Sequence, residues 1–135
     1  PRDINPDVNP VEAGLLFACK HASDIDFLGR AALGRARAEV GPRRLLSFRV
    51  EDPEAMLWGG ELVLRDGRPV GQVTSAAWGA TVGTAVGLAL LSEYDPASDS
   101  ASDPGSYEVD VGGQVFGITL SRRPLVDPEG ARIRG

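Results

Sequence analysis

Cys19 and His21 lie two residues apart, a spacing that places both side chains on the same face of a β-strand. Thiolate and imidazole groups bind zinc, but a structural site needs four such ligands, and the sequence has no second cysteine or histidine. Asp95, Asp99 and Asp103 recur every four residues, which does not match the ligand spacing of a calcium-binding loop. No motif positions a serine and an acid beside His21 for nucleophilic catalysis. The sequence therefore predicts no metal site and no complete catalytic site.

Trp58 has the surroundings that most favour binding. It is followed by Gly59 and Gly60, and then by Glu61. Glycines beside a ring let a ligand or another backbone approach closely, because they carry no side chain and accept positive φ. The pattern favours contact with a ligand or a domain; a tryptophan that plugs the end of a barrel is the alternative interpretation. The side-chain chemistry alone predicts a binding or scaffolding domain.

The composition limits the class of protein. With 135 residues the chain has the length of one domain. Its 14 Lys and Arg against 19 Asp and Glu give a net charge of -5, which argues against nucleic acid as a partner. No apolar run approaches the roughly 20 residues that a membrane span needs, so no membrane partner is expected. The single cysteine excludes an internal disulfide and favours a reducing, cytoplasmic location. Because the chain begins at Pro1 without methionine, we expect a piece of a longer polypeptide.

The clearest element is a hairpin. Asp66-Gly67 separates two apolar runs, and this dipeptide favours a tight primed turn because both residues accept positive φ. Pro69 predicts an edge position, since it cannot donate to a ladder. The other predicted elements are an irregular arm at residues 1–10, a short strand at 11–20, a helix at 24–40, a strand at 43–51, a loop at 51–60, a turn at 78–83, a strand at 84–92, a mobile loop at 94–106 and a closing hairpin at 107–120.

Large and small side chains alternate in the strand at 84–92. The larger set is Val86, Leu88 and Leu90, and the smaller set is Ala85, Gly87 and Ala89. This alternation is typical of a strand that is packed on both sides in a closed or strongly curved sheet. The predicted fold is mainly β with one N-terminal helix, and its strands form a small six-stranded antiparallel β-barrel, with a sandwich as the alternative.

Four blocks of the sequence follow the order of a known family. They are NPVEAGL at 9–15, DFLGRAAL at 26–33, LWGGELVLRDGRPVGQVTSAAWG at 57–79 and PLVDP at 124–128. In these blocks the chain resembles the C-terminal part of the folate-dependent aminomethyltransferases, the glycine-cleavage T-protein family. The resemblance covers nearly the whole chain and is strongest to the T-protein-like half of dimethylglycine and sarcosine dehydrogenases.

The resemblance implies an organisation and a cofactor. Residues 1–42 would be an arm, strand and helix from the end of a middle region, and 43–135 would form the C-terminal barrel. In the family, tetrahydrofolate lies in a channel through the domains, and an upstream aspartate and glutamate provide catalysis and pterin binding. This chain begins too late to contain either, so no catalytic residue is assigned, and Glu12 in the EAG block is not the folate glutamate. Phe17 matches an aromatic position near the folate ring, and Trp58 would face the channel or the partner domains.

The function implied by this resemblance is the barrel of a demethylating dehydrogenase that passes a one-carbon unit to tetrahydrofolate. FAD and the catalytic groups would then lie on missing upstream domains or on a separate subunit, so that this chain alone is not an enzyme. The alternatives are a regulatory or adaptor protein, similar to the regulatory subunit of pyruvate dehydrogenase phosphatase, and a stand-alone folate-binding protein that assists iron–sulfur assembly. A barrel taken from a larger enzyme predicts an exposed apolar patch that includes Phe17 or Trp58.

Overall fold

The strands close into a barrel. The computed structural model describes residues 2–39, 41–94 and 107–135. Within these ranges six antiparallel strands pair in the closed order β1-β4-β3-β2-β5-β6. They are β1 (Arg44–Val50), β2 (Leu62–Arg65), β3 (Arg68–Gly79), β4 (Thr84–Leu91), β5 (Tyr107–Val111) and β6 (Gln114–Ser121), with a 3-10 turn at Leu16–Ala18, helix α1 at Arg30–Ala38 and a short helix α2 at Ala131–Arg134. The predicted six-stranded barrel is confirmed. Of the predicted mobile loop at 94–106, residues 95–106 lie outside the described ranges.

The hairpin between β2 and β3 has the predicted turn. Asp66 (φ 51) and Gly67 (φ 72) both adopt left-handed backbone, as a primed turn requires. Pro69 pairs with Leu64 on one side, and the ladder to β4 begins only at Gly71. Its missing N–H therefore costs no ladder hydrogen bond. The predicted edge position holds only for this end of β3, because the rest of the strand is paired on both sides.

The interior of the barrel is filled by side chains from alternate positions. The fully buried set, each below 2% exposure, is Phe48, Leu91, Val50, Val63, Val73 and Val109. In β4 the small residues face inward: Ala85 and Ala89 are buried, whereas Val86, Leu88 and Leu90 are only half-buried outside. The predicted strand of a closed sheet is confirmed. Its outer face is covered only in part by this chain.

Phe48 lies directly opposite Gly87 across the β1–β4 ladder. A Cβ added at Gly87 would lie 2.8 Å from the Phe48 ring and 2.1 Å from the Ser75 carbonyl oxygen. Real atoms do not approach so closely, so this strand position accepts only glycine. The absence of a side chain at Gly87 is what gives the phenylalanine ring its place in the core.

The segment before the barrel is a capped turn. The Asn9 side-chain oxygen accepts the Glu12 N–H (3.1 Å), and the Glu12 carboxylate accepts the Asn9 N–H (3.0 Å), which is the reciprocal pattern of a capping box. Pro10 follows the cap, where its missing N–H needs no partner, and Gly14 (φ 69) ends the turn. The predicted strand at 11–20 is wrong, because this capping makes the chain turn instead of extend.

Two other boundaries differ from prediction. Helix α1 begins at Arg30 and not at residue 24, because Gly29 (φ 91) precedes it in left-handed backbone and the Asp26 carboxylate accepts the adjacent Phe27 N–H. The predicted turn at 78–83 is shorter, because Trp78 still pairs with Ala85 in the β3–β4 ladder. Trp78 is therefore a strand residue whose ring projects from the barrel wall.

We predict that Gly87→Ala lowers the free energy of unfolding in urea by about 1–3 kcal/mol, the typical cost of overpacking a well-packed core. Gly41→Ala is the matched control, since an added Cβ there meets no atom within 4 Å and its φ is not positive. Equal unfolding midpoints for the two variants would show that the Phe48–Gly87 contact does not determine the packing of the barrel.

Candidate functional site

The loop between β1 and β2 closes one end of the barrel. Ala55 and Leu57 are buried in the core, and the Thr84 hydroxyl donates to the Val50 carbonyl oxygen at 2.9 Å where the loop begins. Trp58, the next residue, is 82% exposed. The interpretation of Trp58 as the plug of the barrel is therefore wrong, because Ala55 and Leu57 fill that end and leave the indole outside.

Glu61 fixes the backbone that carries the indole. Its carboxylate accepts the N–H of Trp58 at 2.6 Å and the N–H of Gly59 at 2.9 Å. Gly59 (φ 87) and Gly60 (φ 106) supply the left-handed backbone that lets the chain return to its own carboxylate. The Trp-Gly-Gly-Glu sequence is thus a tight loop that is closed by one charged acceptor.

The same loop is attached to β3 and to the N-terminal arm. Gly60 N–H donates to the Val73 carbonyl oxygen at 2.8 Å, and the Gln72 side-chain amide donates to the Gly60 carbonyl oxygen at 2.9 Å. The Arg2 guanidinium donates to the Gly59 carbonyl oxygen at 3.3 Å. A polar cleft of about 710 Å³ lies here, lined in part by Arg2, Asn5, Gln72 and Thr74.

Thr74 marks an irregularity in β3 beside this cleft. The pairing with β4 shifts register between Val73 and Ser75, which leaves Thr74 as the extra residue of a β-bulge. Its hydroxyl lies within hydrogen-bond distance of both the Asp3 carboxylate and the Leu88 carbonyl oxygen. The bulge therefore provides the attachment point for the start of the arm.

An apolar cleft of about 400 Å³ lies beside the same loop, lined by Pro53, Glu54, Ala55, Met56, Leu57, Ala77, Trp78 and Ala85. Met56 is 67% exposed and Trp78 is 58% exposed. This barrel end therefore presents two tryptophans and a methionine to its surroundings. Met56 and Trp78 were not predicted as site residues, because Met56 lay in a predicted loop and Trp78 in a predicted turn.

Phe17 lies in the 3-10 turn after the capped segment and is 84% exposed. The capped segment joins the start of β1, where Leu45 N–H donates to the Glu12 carbonyl oxygen at 2.9 Å. Trp58 belongs instead to the loop after the end of β1. Both rings are exposed, as expected for the predicted patch; Phe17 belongs to the segment that precedes β1, and Trp58 belongs to the loop that follows it.

Cys19 and His21 do not form a strand pair. The His21 Nδ1 atom lies 3.0 Å from the Cys19 carbonyl oxygen, and the Cys19 thiol lies 3.8 Å from the Leu15 carbonyl oxygen. Across the described ranges, no group of three or more His, Cys, Asp or Glu residues is arranged to hold a metal ion. None of the helices in these ranges is long and apolar enough to cross a membrane.

These features define a small antiparallel barrel domain with exposed aromatic side chains. The sequence profile of the family described as the glycine cleavage T-protein C-terminal barrel domain matches residues 43–127, and the chain belongs to this family. The resemblance to that family is therefore confirmed.

Relatives place this domain within much longer proteins. The chain is 37% identical over 133 residues to a 4-methylaminobutanoate oxidase (formaldehyde-forming) of Paenarthrobacter nicotinovorans, and 34% identical over 137 residues to the mitochondrial sarcosine dehydrogenase of Homo sapiens. Each alignment covers 98% of this chain but only 15% of the relative. An aminomethyltransferase of Synechococcus sp. (strain CC9902) is 36% identical over 125 residues, which are 92% of this chain and 32% of that protein.

A solved structure has the same fold. The crystal structure of glycine cleavage system aminomethyltransferase T from Bartonella henselae superimposes with a TM-score of 0.76 at 19% sequence identity. The match covers 94% of this chain and 34% of that one. The chain thus corresponds in fold to about a third of that protein.

We predict that Glu61→Ala lowers the free energy of unfolding by about 1–3 kcal/mol, because two backbone N–H groups lose a charged acceptor. In amide hydrogen exchange, the Trp58 and Gly59 N–H groups should lose protection while those of β5 keep it. Glu54→Ala removes the same charge from an exposed position in the same loop and should change neither quantity. Unchanged exchange at Trp58 in the Glu61 variant would refute the carboxylate clamp.

Proposed function

We propose that this chain is the C-terminal barrel of a folate-dependent enzyme that oxidises an N-methylated amine and passes the one-carbon unit to tetrahydrofolate. The observation that carries the proposal is the pair of relatives that align with 98% of the chain. One is named an oxidase of 4-methylaminobutanoate that forms formaldehyde, and the other a dehydrogenase of sarcosine, which is also an N-methyl amine. Both names describe chemistry at a methylated nitrogen.

The described residues suit one part of such an enzyme. Tetrahydrofolate supplies the acceptor for the one-carbon unit when it is bound, and its pyrimidine and p-aminobenzoyl rings are flat. Phe17 and Trp58 offer exposed aromatic faces, which bind flat rings by stacking. Both clefts at the Trp58 end are open, so the chain provides a wall and the rest of the pocket comes from elsewhere.

Trp58 is the better positioned of the two rings. Its backbone is held by Glu61, and the loop behind it is packed into the barrel end through Leu57. A side chain on a rigid support loses less entropy when it binds a ligand. In this proposal Trp58 orients the ligand and excludes water, and Phe17 does so from the segment before the barrel.

The catalytic groups and FAD belong, in this proposal, to upstream domains or to a separate subunit. The chain spans 15% of the oxidase and the dehydrogenase that it matches, which leaves ample sequence for flavin-binding and catalytic domains. The division into an arm at 1–42 and a barrel at 43–135, and the cytoplasmic location, remain predictions.

The adaptor function is not favoured. The relatives described above are named as an oxidase, a dehydrogenase and an aminomethyltransferase. No observation on this chain points to a regulatory role in place of a part in an enzyme.

We predict that Trp58→Ala in the complete gene product raises the KM for tetrahydrofolate about tenfold, because loss of a stacked ring costs about 1–3 kcal/mol. The assay uses an N-methylated amine and measures the ratio of one-carbon units captured on tetrahydrofolate to free formaldehyde. This ratio should fall in the Trp58 variant and in Phe17→Ala, while amine oxidation continues. Ile133→Ala is the control, because it removes an 89% exposed apolar side chain from α2, which lines neither cleft, and it should leave the ratio unchanged. Normal capture in both Phe17→Ala and Trp58→Ala would refute the aromatic wall.

A further inference from the structure

The apolar cleft beside the loop between β1 and β2 has a floor of small side chains. Ala55 and Ala85 line it and are buried, so they lie at its bottom. A larger residue at either position would fill the depression. Its volume of about 400 Å³ falls within the range of small-ligand sites, which is about 300–1,000 Å³. The cleft is therefore large enough to hold a small molecule.

Two exposed, polarisable side chains border this cleft. They are Met56 and Trp78. Trp78 pairs with Ala85 in the β3–β4 ladder, so the barrel wall fixes its backbone before any ligand arrives. The face of an indole ring attracts cations, and the flexible thioether of methionine adapts its packing to the group that it contacts. These two side chains suit a cation whose surface is apolar.

One carboxylate determines the sign of charge that the cleft favours. Among the described residues that line it, Glu54 is the only charged one. Its carboxylate forms no ion pair within the described ranges. The Glu54 N–H donates to the Asp52 carboxylate at 2.8 Å, which holds this part of the loop in place. Because this lining combines an indole and a carboxylate with no basic side chain, it favours a cation over a neutral molecule or an anion.

A methylated ammonium suits this lining better than a bare ammonium does. Each N–H group of a bare ammonium needs a hydrogen-bond acceptor once water is displaced, and the side chains other than Glu54 are predominantly apolar. Methyl groups replace those donors with apolar surface and leave the positive charge in place. We propose that the apolar cleft is a binding site for a small methylated ammonium cation, with its methyl groups against Trp78 and Met56 and its charge near Glu54.

This site differs from the aromatic wall proposed for folate. Neither Phe17 nor Trp58 lines the apolar cleft, and the negative charge of Glu54 disfavours the carboxylates of a folate. The inference goes beyond the proposed function, because it assigns to the barrel itself a ligand of positive charge. It does not depend on folate binding.

The test is an NMR titration of the complete gene product with tetramethylammonium, without folate. Methionine methyl groups are isotope-labelled, and the Met56 resonance is assigned by its loss in Met56→Leu. This resonance reports on the cleft alone, so a cation that binds elsewhere does not interfere. It should shift and saturate at millimolar concentration, because cation–π contacts at exposed sites are weak. tert-Butanol, a neutral molecule of similar size, should shift it much less, and glycine betaine, which adds a carboxylate to the ammonium, should bind more weakly.

Variants of the cleft provide the second measurement. Trp78→Ala should weaken tetramethylammonium binding about tenfold, and Glu54→Gln, which removes the charge but keeps the shape, should weaken it severalfold. Phe17→Ala and Glu51→Gln remove an exposed ring and an exposed carboxylate outside the cleft, and they should leave the binding unchanged. No shift of the Met56 resonance, an equal response to tert-butanol, or unchanged binding in either cleft variant would overturn the proposal. Because Phe17→Ala should impair folate capture but not this titration, the two proposals can fail separately.

Discussion

The contact between Phe48 and Gly87 is the constraint on which the closed barrel depends. The two residues face each other across β1 and β4, and the ring occupies the space that a Cβ at Gly87 would fill. Barrels of about eight strands have an interior just wide enough for side chains to fill, so six strands leave no room for a ligand inside. The buried set around Phe48 fills that interior. Any binding by this domain must therefore take place on its ends or its outer surface.

Aromatic side chains are exposed on the segments next to the barrel. One end is closed by Leu57, and the next residue, Trp58, is turned outward on a loop that Glu61 holds by its carboxylate. The capped segment around Glu12 joins the start of β1 and leads to Phe17. Side chains that would be buried in a self-sufficient domain are thus held in fixed, exposed positions. This arrangement suits a domain that completes a larger enzyme, and it agrees with the share of the relatives that the chain covers.

The sequence predicted what depends on local geometry. Asp66-Gly67 indicates a turn because both residues accept positive φ, and the strands are indicated by apolar side chains at every second position. The strand predicted at 11–20 was wrong. Asn9-Pro10 and Glu12 carry a capping signature that indicates a turn, but the apolar run that follows them favoured a strand. The position of Trp58 was harder to predict, because whether Leu57 or Trp58 fills the barrel end depends on the width of a closed sheet. That width is set by contacts between residues far apart in sequence, as with Phe48 and Gly87.

In the function proposed above, this chain supplies one wall of a folate site and needs the rest of the polypeptide for the remainder. The most direct measurement is a calorimetric titration of a tetrahydrofolate analogue into the 135-residue chain and, in parallel, into the complete gene product. If the site is shared in this way, we expect micromolar binding to the complete product and no binding to the chain alone up to millimolar concentration. Equally tight binding by the chain alone, or no binding by the complete product, would contradict it.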